Sequence, residues 1–361
     1  MTIITSYPGV YVSEDASLNL AVSSSATAVP VFAYFNDPGN GISAADIFSF
    51  NTWSDFKSFC SNPSVNYPGM GYYRSVYTWF KGGGGKCYLA EVTKLKEAIE
   101  TYSDITLLVA AGATTGTKIY DQFNELTSHG YPIFGLFDGP GYKIDNSISD
   151  SIMNEYPVSA YGALFYPWCR SDYFSSFVPP STVAAVSIAQ TDRSRGVWKA
   201  PANQPIIGIT PMYPVSDELQ EKFSGEKPLN MIRSFPETGT VIWGARTLEN
   251  SDNWRFIPVR RLFNMVEKDI KSALSRIVFE SNNQPTWQRI KTAIDNYLRR
   301  LWEQGALMGE KPEEAWFVQI GKGITMTEED IRQRKIILKI GLAAVRPAVF
   351  IHLKFTQDVA Q

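Results

Sequence analysis

Ile105-Thr106-Leu107-Leu108-Val109-Ala110, a helical pattern over 119–129, and Ile133-Phe134-Gly135-Leu136-Phe137-Asp138 together decide the fold class. A short apolar run without polar alternation suits a strand covered on both faces, and helices between such strands predict a layered α/β sheet. Working outward, Ala28-Val29-Pro30-Val31-Phe32-Ala33-Tyr34-Phe35 reads as another buried strand, 54–59 and 71–80 read as helices, and Cys87-Tyr88-Leu89-Ala90-Glu91-Val92 as a strand. Tyr161-Gly162-Ala163-Leu164-Phe165-Tyr166 and Val183-Ala184-Ala185-Val186-Ser187-Ile188 extend the strand pattern, giving an α/β layer domain over roughly 21–245. The stretch 196–214 carries Trp198, Ile206, Ile207 and Ile209, which points to an ordered loop rather than a linker.

Past Trp254 the pattern changes to long amphipathic helices. Pro258 suits a first helical turn, where its missing N–H costs nothing. Val259, Leu262, Phe263, Val266, Ile270, Ala273, Leu274 and Ile277 then recur on one face. A second helix starts near Pro285, striped by Trp287, Ile290, Ile294, Tyr297, Leu298, Leu301 and Trp302, with Gly305 as a left-handed stop. Arg260, Arg261, Lys268, Lys271, Arg289, Lys291, Arg299 and Arg300 fall outside the stripes, as a solvated face or a partner contact. Thr327-Glu328-Glu329-Asp330 reads as a capping box. These elements make a helix-on-sheet unit over 246–346. Val349, Ile351, Leu353 and Phe355 then alternate with Phe350, His352, Lys354 and Thr356, a period-two strand in a terminal arm over 347–361. Such a strand pairs within its own sheet or is donated to a neighbour. An N-terminal arm, 1–20, contains the extended stretch Tyr7-Pro8-Gly9-Val10-Tyr11-Val12.

The usual chemistries find little support. With 34 basic and 36 acidic residues the chain has no bulk attraction for nucleic acid or anionic lipid. No secretory signal or membrane-spanning run is evident, so synthesis in the cytoplasm and no membrane insertion are expected. His129 and His352 are the only histidines, which leaves no histidine-rich metal site and little for a Ser-His-Asp arrangement. Cys60, Cys87 and Cys169 form no CxxC pair and read as reduced, buried thiols. Gly82-Gly83-Gly84-Gly85-Lys86 fails the phosphate-loop spacing and is followed by Cys87 instead of Ser or Thr, so it reads as a flexible turn. A carboxylate pair hidden among the acidic residues keeps an α/β enzyme open as an alternative. No cofactor or metal site is expected.

Several long stretches carry a family resemblance: YPGVYVSE at 7–14, GGGGKCYLAEV at 82–92, RGVWKAPAN at 195–203, VIWGARTL at 241–248, DNWRFIPVRRLFN at 252–264, WEQGALMGEKPEEAWFV at 302–318 and IGLAAVRPAVF at 340–350. In this order they resemble the contractile tail sheath proteins of phages, R-type bacteriocins and extracellular contractile injection systems such as the antifeeding prophage and Photorhabdus virulence cassette types. The resemblance implies an α/β (α+β) chain with an outer α/β domain and an inner helix-on-sheet domain. It implies a non-enzymatic structural subunit that stacks in rings around an inner tube, with baseplate and terminator or cap proteins as further partners, in a virion tail or a released extracellular particle. It implies that both arms are donated as β-strands to neighbouring copies. Tyr7, Val10, Tyr11, Val12, Val349, Ile351, Leu353 and Phe355 are then the expected links. Glu328, Glu329 and Asp330 are expected to face the tube, and Arg260, Arg261, Arg299 and Arg300 to make basic contacts between subunits. Another tail, tube or capsid component is the remaining structural alternative.

Overall fold

Strands β1 (Pro30–Tyr34), β3 (Cys87–Glu91), β4 (Leu107–Val109), β5 (Phe134–Asp138) and β6 (Gly162–Tyr166) are buried at every position, as their unbroken apolar runs require. The computed structural model describes residues 20–35, 47–61, 71–113, 118–144, 154–225 and 228–348. In it these strands run parallel with β10 (Leu229–Phe235), between antiparallel edge strands β2 (Phe48–Phe50) and β11 (Gly239–Trp243). The order is β11-β10-β6-β5-β4-β1-β3-β2, so the chain reverses its direction of travel across the sheet at β1. One face packs Phe32, Leu89 and Val109 against α1 (Trp53–Cys60), α2 (Gly71–Lys81) and α5 (Pro180–Arg195). The other packs Val31, Tyr88 and Leu108 against α3 (Leu95–Thr101), α4 (Lys118–Ser128) and α6 (Asp217–Lys222). A small sheet of β7 (Cys169–Ser171), β8 (Phe174–Val178) and β9 (Ile209–Pro211) sits beside it. Within 196–214, read as an ordered loop, Asn203 and Ile206 donate to the Ile242 and Thr240 carbonyls along the β11 edge, and Ile209–Pro211 is the strand β9.

Two local expectations are corrected. Residues 183–188 are helix, not strand: they lie within α5, where every residue from Pro180 to Ala189 is buried. A helix segment buried on all sides lacks the 3.6-residue stripe, and over six residues its run looks like a covered strand. The glycine run is the expected turn into β3, but a bonded and closely packed one rather than a loose one. Gly82, Gly83 and Gly84 donate back to Thr78, Phe80 and Trp79 carbonyls, and the Trp79 indole N–H donates 2.7 Å to Gly85. A Cβ on Gly84 would lie 2.2 Å from the Trp79 ring, so the glycines let the chain close over a fully buried indole. All three cysteines are buried and free, and burial pushes the Cys60 thiol up to about 12.

Beyond the ends of β4 and β5 a buried carboxylate ties the sheet to α5. Asp138, fully buried at the end of β5, accepts from Gly112 N (2.8 Å) and from Ser181 N in the first turn of α5 (2.7 Å). Trp168 and Pro179 close over Gly112. Burial pushes the Asp138 carboxyl up to about 6, against the downward pull of those N–H bonds. Because the folded value lies above the ordinary 3.8, the folded chain holds a proton that the unfolded chain releases between about pH 4 and 6. Stability from this group is therefore full below pH 4 and lost as pH rises through 6, by on the order of 2–3 kcal/mol. Urea unfolding of wild type and Asp138→Asn at successive pH values should show that downward slope only in the wild type; parallel profiles would refute the assignment.

The third core is built from α7 (Ile257–Leu274), α8 (Gln284–Glu303), the short α9 (Pro312–Ala315), and a two-stranded antiparallel sheet of β12 (Trp316–Ile320) and β13 (Leu338–Leu342). Pro258 sits in the first turn of α7, Asn283 caps α8 by accepting from Thr286 N, and Gly305 takes φ +78° after α8. Most of the stripes read from sequence form this core, with Leu262, Val266, Ile290, Ile294 and Leu298 all buried, whereas Leu274, Ile277 and Trp302 are half-buried at its edge and Phe263 packs on Trp254 outside it.

Val22 and Val197 join the same core from far away in the chain. The segment around Val22 to Thr27 is strapped across both halves. Arg300 donates to the Val22 carbonyl, Ser25 N and Oγ donate to Asp269, which also accepts from the Tyr297 hydroxyl (2.6 Å), and Thr27 Oγ1 donates to Asp192.

Candidate functional site

Alternation on β12 puts Trp316, Val318 and Ile320 inward, and the antiparallel register sets them opposite Leu342, Ile340 and Leu338. The two strands are not equally covered. The β12 side chains are buried, whereas Leu338, Ile340 and Leu342 remain half-buried. What leaves them open is a groove of about 330 Å³ between β13 and α7, walled on the helix by Phe263, Val266, Ile270 and Leu274. Glu267 and Lys271, 4.0 Å apart, stand at its rim. Since β12 takes one side of β13, the other side has no main-chain partner among the described residues. An apolar trough beside an unpaired strand edge is the geometry that accepts an extended segment: the edge supplies backbone hydrogen bonds, and alternate side chains fill the trough. On the reverse face the Phe317 ring lies over Gly341, where a Cβ would meet it at 2.1 Å; the glycine thus leaves room for an aromatic cover.

The expected strand links Tyr7, Val10, Tyr11, Val12, Val349, Ile351, Leu353 and Phe355 lie outside the described residues, as does His352. His129 is exposed at the end of α4, its Nδ1 2.7 Å from the Glu125 carbonyl. The capping box exists: Thr327 and Asp330 bond reciprocally at the start of α10 (Glu328–Arg332). Glu328 and Glu329 are exposed, but each has a cation of its own, Lys322 and Arg332. The hydrogen bond from Lys322 holds the Glu328 carboxyl below its ordinary value. Arg299 and Arg300 are exposed on α8, Arg300 reaching the Val22 carbonyl at 2.7 Å.

Arg260 and Arg261 do not form an outward basic face. Both are buried, because the first turns of α7 are wedged between the α/β sheet and the third core and have no solvent side. Arg261 forks onto Asp192 of α5 (2.8 and 2.6 Å) and donates to the Thr27 carbonyl. The Arg260 guanidinium lies over Trp254 (4.3 Å) and Tyr161 (4.5 Å), with Nε donating to Asn264. Sequence reading missed Asp192 and Asp269 as the partners that staple the halves together. Their signal is weak: each is one acidic residue inside a helix, and its partner lies in another element.

A model of the phage tail sheath C-terminal domain matches residues 249–358, which take in α7, α8, β12, β13 and the groove. The tail sheath protein of Burkholderia phage BcepMu is 26% identical over 153 residues, 38% of this chain and 30% of that protein. The chain thus aligns with less than a third of that relative. Similarity to solved structures extends over the whole length. The sheath of an extracellular contractile injection system, the PVC sheath complex in its contracted state, is 48% identical, covers 99% of both chains and superposes with a TM-score of 0.89. A chain of the anti-feeding prophage baseplate in its contracted state is 55% identical, with coverage of 98% and 99% and the same TM-score. Identity at this level along the full chain, with the sheath domain model falling on the grooved core, places this protein in the contractile tail sheath family.

Proposed function

We propose that this chain is the sheath subunit of a contractile injection particle, and that the groove between α7 and β13 receives a β-strand donated by a neighbouring copy. The observation that carries the reading is the half-covered β13, with its apolar trough and unpaired edge. Val349, Ile351, Leu353 and Phe355 have the alternation such a site needs, and the Tyr7–Val12 stretch has a similar extended character. Each buried aliphatic or aromatic side chain contributes roughly 1.5–3 kcal/mol before the cost of ordering the arm. A head-to-tail link of this kind does not close on itself and builds a helix of subunits.

In this reading 246–346 forms the inner layer around a tube, with Glu328, Glu329 and Asp330 towards it, and 21–245 forms the outer layer. Arg299 and Arg300 serve contacts between copies. Contraction is driven by new interfaces that form between copies in the contracted state, with strand links as hinges that persist, and needs no nucleotide or catalysis. Baseplate and terminator proteins complete the partner set.

The test is electron microscopy of the chain with and without residues 347–361, together with the cognate tube and baseplate. Hollow tubes from the full chain and none from the folded truncation are expected. Normal tubes from the truncation would remove the C-terminal link.

A further inference from the structure

We infer that the turn between α7 and α8, tipped by Phe279, is a second point at which one copy of this chain docks on another; the inference rests on the sheath reading above. Phe279 is fully exposed, and its φ is +82°. A bulky L-residue there is strained because its Cβ crowds the backbone, and an exposed ring keeps its full hydration. Both penalties fall on one residue, and Val278 beside it is 59% exposed.

The turn itself is well built. Glu280 N donates to the Ile277 carbonyl, and Asn282 accepts from the Trp287 indole (2.8 Å) while donating to the Lys335 carbonyl (3.0 Å). A held turn that presents an apolar tip in strained backbone is the arrangement of a contact residue, not of a fraying loop.

Its place in the fold selects the partner. Leu274 lines the strand-docking groove at the C-terminal end of α7, and the next residues lead to Phe279. Ile277 also lines a small pit with Leu20, where the N-terminal segment leaves the described chain. A neighbouring copy that reaches the Leu274 end of the groove therefore meets this tip. Continuity with the groove favours a second copy over tube or baseplate.

Phe279→Gly separates the two roles. Glycine adopts φ +82° without strain, so the thermal midpoint of the unassembled subunit should stay level or rise by about 1–2 °C. Sheath recovered by sedimentation, seeded with cognate tube and baseplate, should fall about tenfold or more, the loss typical of a contact hot spot. Phe279→Asn, which also tolerates positive φ, should lose assembly likewise, and Phe279→Trp should keep it. Wild-type assembly by the Gly or Asn variant overturns the inference. So does a lowered midpoint in both, which would make the ring part of the chain's own packing. Run beside the 347–361 truncation, the assay keeps the readings apart: sheaths from the truncation sink the strand link, and sheaths from the Phe279 variants sink this contact.

Discussion

Replacing Arg261 with methionine should destabilise the chain by about 3–5 kcal/mol, the loss typical when one partner of a buried ion pair is removed. The side chains of Arg261 and Asp192 are only 3% and 7% exposed. Without the guanidinium, the Asp192 carboxylate stays out of water with only the neutral Thr27 hydroxyl bonded to it, and the Thr27 carbonyl loses a donor as well. Replacing both partners should cost much less, since an Arg261→Met, Asp192→Leu pair leaves no uncompensated charge. Urea unfolding of the two single variants and the double variant gives the coupling directly. A loss below about 1 kcal/mol for Arg261→Met, or a double variant worse than either single, would contradict the burial argument. Because the pair is buried, the loss should also persist in high salt, where surface pairs fade.

That residue also shows where sequence reading stops. Leu107–Val109 and Phe134–Asp138 are legible because a strand covered on both faces needs an unbroken apolar run, and the stripes of α7 and α8 because a helix on a core needs a 3.6-residue period. Residues 183–188 satisfy neither rule uniquely, since α5 is buried all round from Pro180 to Ala189. Arg261 fails for a related reason: a helix wedge between two cores has no polar side, so charge on the wheel says nothing about exposure, and Asp192 lies 69 positions away in another helix. The candidate site was half legible. Alternation in 349–356 reads as a strand that pairs within its own sheet or with a neighbour, but the groove joins Val266 to Ile340, and no local pattern links those positions. Phe279 has no such signal, because positive φ and exposure belong to the folded backbone.

Ile340→Glu should leave a folded subunit that builds no sheath. Ile340 faces Val318 across the β12–β13 pair and looks into the groove with Val266 and Ile270. In the unassembled chain this position is only half-buried, so a carboxylate there reaches water, and the stability loss should stay near 1–2 kcal/mol. A docked strand would close that route and bury the charge without a partner, at a cost of at least about 3 kcal/mol per link. Since 1.4 kcal/mol is a factor of ten, the concentration needed for assembly should rise by about 100-fold or more. Lys339→Gln makes the same unit change in charge one residue away, but on the exposed face of β13, and should assemble normally. Sedimentation of the three chains at a series of concentrations, with circular dichroism to confirm folding, reads both effects. If Ile340→Glu assembles at wild-type concentration, the groove is not where the strand docks; if both variants fail, the outer face of β13 is an interface too. Loss at Ile340 alone would tie assembly to one face of one strand, and strand addition makes that demand because a one-residue step along β13 moves the side chain to the opposite side.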